Sequence, residues 1–198
     1  MRADITVVLD ACVLAEAAVS DLLLRLADEP RLLLPRWSDS IWEETRRTWI
    51  ERLELPESVA ESRIRAAQTA FPEADVTGFE SLIDRCANHP EDRHVLAAAI
   101  HARADAIVTF NVKDFPAVAL DPWGVEAVHP SALLLLLYDL DPGVVTNVLH
   151  AMAGKAKRTM PEMLGRLAWC VEPFIKHIAA EQAIEIPDVP PRDWRRAP

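Results

Sequence analysis

The chain has 198 residues, 51% of them hydrophobic, and carries 21 Lys and Arg against 31 Asp and Glu, a formal net charge of −10. That apolar content argues against general disorder, and the length suits one domain, or one domain with an appended subdomain. The acidic balance excludes indiscriminate binding to nucleic acid, which needs clustered Lys and Arg, but leaves room for an enzyme whose bound cations invert the field inside a site made of acids.

No membrane role is expected. The longest leucine-rich run, Ala132 to Tyr138, falls far short of the roughly 20 apolar residues that cross a bilayer. Asp4 and Asp10 interrupt the only apolar stretch near the start, so no secretory signal is read there. Cys12, Cys86 and Cys170 are too widely spaced for a paired framework or a CxxC metal motif, which points to reduced thiols and a cytoplasmic protein.

In chain order, Ile5 to Asp10 is a short β-branched run that stops at a carboxylate. Such a run predicts a buried parallel strand, and the carboxyl end of a strand is where open α/β sheets bind ligands. Glu16 to Ala27 carries Val19, Leu22, Leu23 and Leu26 at helical spacing. Arg31 to Leu34, closed by Pro35, predicts the second strand. Ser38 or Ser40 caps a helix to about Leu53. Ser40-Ile41-Trp42-Glu43 fits a capping box, which would occupy Glu43 with the cap and leave Glu44 free for chemistry.

Pro56 opens a helix ending at Phe71-Pro72, and Gly78 to Cys86 is ambiguous between helix and loop. Pro90 marks the first turn of another helix, with Asn88 or His89 at its entrance. Asp92, Val95, Ala99 and Ala102 share one stripe of it, so Asp92 points with the residues that pack on the sheet, which is costly for a charge unless it is paired or holds metal. Asp105 to Phe110 is a strand leading into Asn111 and Asp114, and Val125 to Val128 is the last strand. From Pro130 the pattern is purely helical: Ser131 to Tyr138, Pro142 to Ala153, Met160 to Cys170 and Val171 to Gln182. A proline-dense tail follows from 187 to 198.

Strands separated by helices predict an α/β fold of three layers: a mostly parallel sheet over residues 1–129, with a helical C-terminal extension over 130–186. Asp10, Glu44, Asp92 and Asp114, with Asn111 and Thr109 nearby, form the candidate constellation. Hard cations such as Mg²⁺ or Mn²⁺ prefer such oxygen ligands, and metal-assisted hydrolysis is the chemistry these residue types best support. The plainer explanation is that 31 acids will fall near strand ends anyway, and that helix first turns favour Glu43, Glu44, Glu91 and Asp92 by roughly 0.3–1 kcal/mol each.

Four segments in order, Val8-Leu9-Asp10-Ala11-Cys12-Val13-Leu14, Ser40 to Glu44, Pro90 to Ala99 and Ala106 to Phe115, together resemble the PIN domain, in particular the toxin ribonucleases of VapBC-type toxin–antitoxin modules. The resemblance implies a Mg²⁺- or Mn²⁺-dependent endoribonuclease acting on RNA, inhibited by a cognate antitoxin and active as a homodimer. It also implies that Asp10, Glu44 and Asp92 hold metal and that Thr109 orients ligands. The fourth ligand stays open, because Asn111 stands where the simplest pattern has Asp; either its carbonyl or Asp114 would complete the set.

Two other readings compete. One is a catalytically weak PIN-like module that mainly binds protein or nucleic acid. The other, a haloacid-dehalogenase-type phosphatase, would want an acid at Cys12. Other polar and aromatic residues have plain explanations. His89 and His94 lack a third nitrogen or sulfur partner and are expected to be structural or superficial. Arg46, Arg47 and Arg52 could grip an RNA backbone or an acidic antitoxin segment but fit a solvated helix face better. The cluster Lys155 to Arg158 could contact phosphates but fits a loop kept soluble better, and Trp37, Trp42 and Trp49 fit packing better than base stacking.

Overall fold

The computed structural model describes residues 5–29 and 31–187; the proline-dense tail from 188 onward lies outside them. Four parallel strands, β1 (Thr6–Leu9), β2 (Leu34–Arg36), β3 (Ala106–Val108) and β4 (Glu126–Val128), form one sheet in the order β2-β1-β3-β4. The helices are α1 (Ala11–Ala15), α2 (Ala17–Ala27), α3 (Asp39–Arg47), α4 (Glu57–Ala70), α5 (Arg93–Ala102), α6 (Ala117–Leu120), α7 (Pro130–Leu140), α8 (Pro142–Lys155) and α9 (Met160–Glu181). Successive side chains of a strand point to opposite faces, and Val7, Val8 and Leu9 are all fully buried. Both faces of the sheet are therefore covered, which makes three layers.

Chain order places the site. From β1 the chain steps to β2 on one side, returns across β1 to β3, and continues outward to β4. The winding reverses between β1 and β3, and a crevice opens outside the carboxyl ends of those strands at such a reversal. Asp10 follows the last residue of β1 and Thr109 follows the last residue of β3.

Several expectations are corrected in detail. Pro35 lies inside β2 rather than ending a strand before it. That is permissible because β2 is an edge strand: Leu34 donates its N–H to Ile5, so the neighbouring position, where proline has none, faces the open side. The helix expected over Glu16 to Ala27 is α2, and a further short helix, α1, replaces the turn expected before it, with Glu16 extended between the two. Helix α3 is capped by Ser38, whose Oγ accepts from the Ile41 N–H at 3.3 Å, so the Ser40–Glu43 capping box does not form. Glu43 instead pairs with Arg46 at 2.9 Å. Replacing Ser38 with Ala is expected to lower unfolding free energy by about 1 kcal/mol, whereas Ser40→Ala should be near neutral; urea denaturation of the two variants checks the assignment.

The expected division after Cys170 corresponds to a kink in α9, where Val171 has non-helical angles (φ −132°, ψ 43°) two residues before Pro173. The missing proline N–H and the clash of its ring with the preceding turn account for the break. Helices α8 and α9 pack on α2, and Leu134, Leu149, Leu164 and Phe174 join Val7 and Leu22 in one continuous core. The helical extension thus shares the interior of the sheet domain.

Candidate active site

A cleft of about 1050 Å³ opens at the reversal between β1 and β3. Its acids are Asp10, Glu16, Glu44, Glu91 and Asp92, with Asn111 beside them. Four segments far apart in the chain thereby deliver the predicted Asp10, Glu44, Asp92 and Asn111 to one place.

Asp10 is the most tightly held. It is 4% exposed and caps α1. One carboxylate oxygen accepts from the Ala11 N–H at 2.7 Å, and the other from the Thr109 hydroxyl at 2.6 Å and the Cys12 thiol at 3.1 Å. Thr109 is fully buried, and its Oγ1 also accepts from the Asn111 N–H at 3.0 Å. A single hydroxyl thus couples the strand-end acid to the loop carrying Asn111. Cys12 is no nucleophile: burial, then the charge of Asp10, pushes its thiol up to about 12. Burial and the Glu16 carboxylate do the same to Cys170, another residue of the cleft.

Asp92 ends a 3₁₀ turn (Pro90–Asp92) and stands at the N-cap of α5 without making a side-chain cap. Its carboxyl is raised to about 6, first by burial and then by Asp10 and Asp114, with Glu44 adding to the same effect; His89, 3.5 Å away, opposes it. The carboxylates therefore crowd one another in a partly desolvated space, an arrangement that a cation relieves. Glu44 is oriented by His94, whose Nε2 lies 3.1 Å from Oε1. The histidine expected to be structural or superficial is thus a partner of a candidate ligand. Asp114 does not line the cleft, though its charge reaches Asp92, whereas Asn111 does line it.

The acids and Asn111 offer oxygen donors, which suit a hard divalent cation, while the Cys12 and Cys170 thiols hold their protons and His129 Nδ1 accepts from the Ser131 N–H. Among the described residues no three His, Cys, Asp or Glu side chains already converge on one point. That remains compatible with Mg²⁺, which keeps several waters and uses only one or two carboxylates directly.

Of the rest of the lining, only Arg47 and Arg52 are offered by the sequence as a grip on RNA, and a solvated face is the preferred expectation for them. Arg47, Thr48 and Arg52 come from the end of α3 and the π-helical turn Thr48–Arg52, and Phe110, His129, Trp169 and Cys170 complete the wall. Trp169 and Cys170 belong to α9, and nothing in local periodicity shows that the extension folds back this far.

The family model described as "PIN domain" matches residues 6–113, and strand-end acids at a winding reversal in a parallel three-layer sheet are consistent with that fold. The chain belongs to the PIN domain family. It is 44% identical over 107 residues to a Mycobacterium tuberculosis (strain ATCC 25618 / H37Rv) protein named "Putative ribonuclease VapC50", a match covering 54% of this chain and 62% of that relative. The matched stretch is thus less than two thirds of the relative's own length. No solved structure matches the chain.

Proposed function

We propose that this chain is a divalent-metal-dependent endoribonuclease, the toxin of a VapBC-like toxin–antitoxin module. The observation that carries the reading is the meeting of Asp10, Glu44, Asp92 and Asn111 in one cleft between the ends of β1 and β3. The relative's name supports RNA as the substrate. Asp10, Glu44 and Asp92 would hold Mg²⁺ or Mn²⁺, with Asn111 as the nearer candidate for the fourth position. A cation bound there supplies an activated water and neutralises charge on a phosphodiester. The chain's own work is positional. Thr109 and the Ala11 amide fix Asp10, and His94 fixes Glu44.

The same reading takes a cognate antitoxin as partner, a homodimer as the active form and the cytoplasm as the compartment. An antitoxin cation inserted among the cleft's acids would relieve their crowding as a metal does, and coexpression followed by copurification tests for such a complex. Purified protein incubated with an unstructured RNA should cleave it in Mg²⁺ or Mn²⁺ and stop in EDTA, and calorimetry should register Mn²⁺ binding. Cleavage that persists in EDTA overturns the metal assignment. Absence of both cleavage and Mn²⁺ binding would replace it with a PIN-like module acting through binding alone.

A further inference from the structure

Besides its acids, the cleft is lined by residues of a different chemistry. In an α-helix, residues five apart do not share a face. The turn after α3 is wound with i to i+5 bonds, however: the Leu53 N–H donates to the Thr48 carbonyl at 3.2 Å. This wider winding places Arg47 and Arg52 on the same side, where both line the cleft. Such π-turns are frequently found at functional sites. Both arginines are exposed, and neither makes an ion pair or hydrogen bond with another described residue. Arg46, beside them, is tied to Glu43 at 2.9 Å and to Glu57 at 2.8 Å. In a chain with so many surplus acids, two cations left open at the acidic cleft are suited to a polyanion.

Trp169 supplies the second observation. Trp37, Trp42 and Trp49 are at most 5% exposed and pack edge-on or tilted against one another in the core. Trp169 is 57% exposed and stands on the cleft wall. Exposed aromatic rings beside cationic grooves are the means by which proteins hold single-stranded nucleic acid, because an unpaired base offers a free face and a paired, stacked one does not.

We propose that the helical extension completes the substrate site, with the Trp169 indole stacked on an unpaired base and Arg47 and Arg52 holding neighbouring phosphates of the same strand. This rests on the ribonuclease reading and deepens it by naming the side chains that hold the strand and giving α9 a role.

The test is fluorescence polarisation with a labelled unstructured RNA oligonucleotide, and the same sequence as a duplex, in Mg²⁺ over a range of salt. The Asp92→Asn full-length chain serves as parent, so that RNA is bound without being cut. The parent should prefer the single strand. Trp169→Ala should weaken single-strand binding about tenfold with the salt slope retained, and Trp169→Phe should recover most of the loss. The pair Arg47→Gln and Arg52→Gln should lower the salt slope by about 1.4, the share of two single-strand phosphates. Should the alanine chain not fold, Trp169→Leu, which has no ring face, takes its place.

Equal affinity of parent and Trp169→Ala, no recovery with Phe, or an unchanged slope in the double-arginine variant overturns the proposal. Wild-type cleavage of the same RNA is measured alongside. If it occurs while these variants bind like the parent, only the substrate path fails; if it does not occur and the parent does not bind, the ribonuclease reading fails with it.

Discussion

Asp92→Asn should remove RNA cleavage almost entirely while making the metal-free protein more resistant to heat at neutral pH. The loss should exceed the roughly 10- to 100-fold that follows removal of an outer partner of a metal ligand, because here a proposed ligand itself is neutralised. The stability gain follows from the raised proton affinity. The Asp92 carboxyl titrates near 6 in the folded chain and near its ordinary 3.8 when unfolded. Below about pH 3.8 both states are protonated and nothing is lost. As pH rises through 6 the folded state must surrender a proton it holds more tightly, and stability falls.

Asparagine cannot ionise, so the variant escapes that fall. A shift of about two units on a partly exposed group, discounted for solvent screening, corresponds to ~1 kcal/mol, or roughly 2–4 °C in Tm for a chain of this size. Differential scanning fluorimetry in EDTA at pH 7.5 and pH 4 checks both the sign and the window. The advantage should be present at the higher pH and shrink toward zero at the lower. A variant no more stable than wild type at pH 7.5 would contradict the crowding of carboxylates, whatever its activity.

Thr109→Val should cut cleavage and Mn²⁺ affinity by about 10- to 100-fold, although Thr109 is fully buried and does not line the cleft. Valine has nearly the same shape but offers no hydroxyl. The Asp10 oxygen loses a 2.6 Å donor and the Asn111 N–H loses its 3.0 Å acceptor, so two groups of the site are released together. Leaving one such buried group unpaired costs about 1–3 kcal/mol, and a fall in stability should accompany the fall in activity. Thr109→Ser, which keeps the hydroxyl, should restore most of both. Calorimetric Mn²⁺ titration separates a site that no longer holds the ion from one that holds it and fails to cleave. Wild-type behaviour of the valine variant would show that Thr109 only fills space.

The parts of this molecule encoded locally could be read from the chain. Val7, Val8 and Leu9 are β-branched or apolar and covered on both sides, so an unbroken apolar run ending at Asp10 marks both the strand and its functional end. Asp92 was found through a helical stripe shared with Val95 and Ala99, both fully buried, although it stands just outside α5, at its N-cap. Where two neighbours offer the same chemistry, sequence could not decide. Ser38 and Ser40 are both competent caps, and only the path of the chain out of β2 selects Ser38. Glu44 was singled out through a capping box that does not form; it is available because Glu43 turns to Arg46 on the outer side. Asn111 and Asp114 sit three residues apart in an irregular loop, where no periodicity tells which one faces inward. The greatest omission is the contribution of α9. Trp169 reaches the cleft because α9 packs on α2, a contact between segments some 140 residues apart that leaves no local signature.

One consequence follows from the thiols of the cleft. The reactive form of cysteine toward peroxide and alkylating agents is the anion, and a group that gives up its proton only near pH 12 has almost none of it at pH 7. Cys12 and Cys170 therefore line the cleft as protonated thiols, and iodoacetamide at pH 7 is expected to label them slowly.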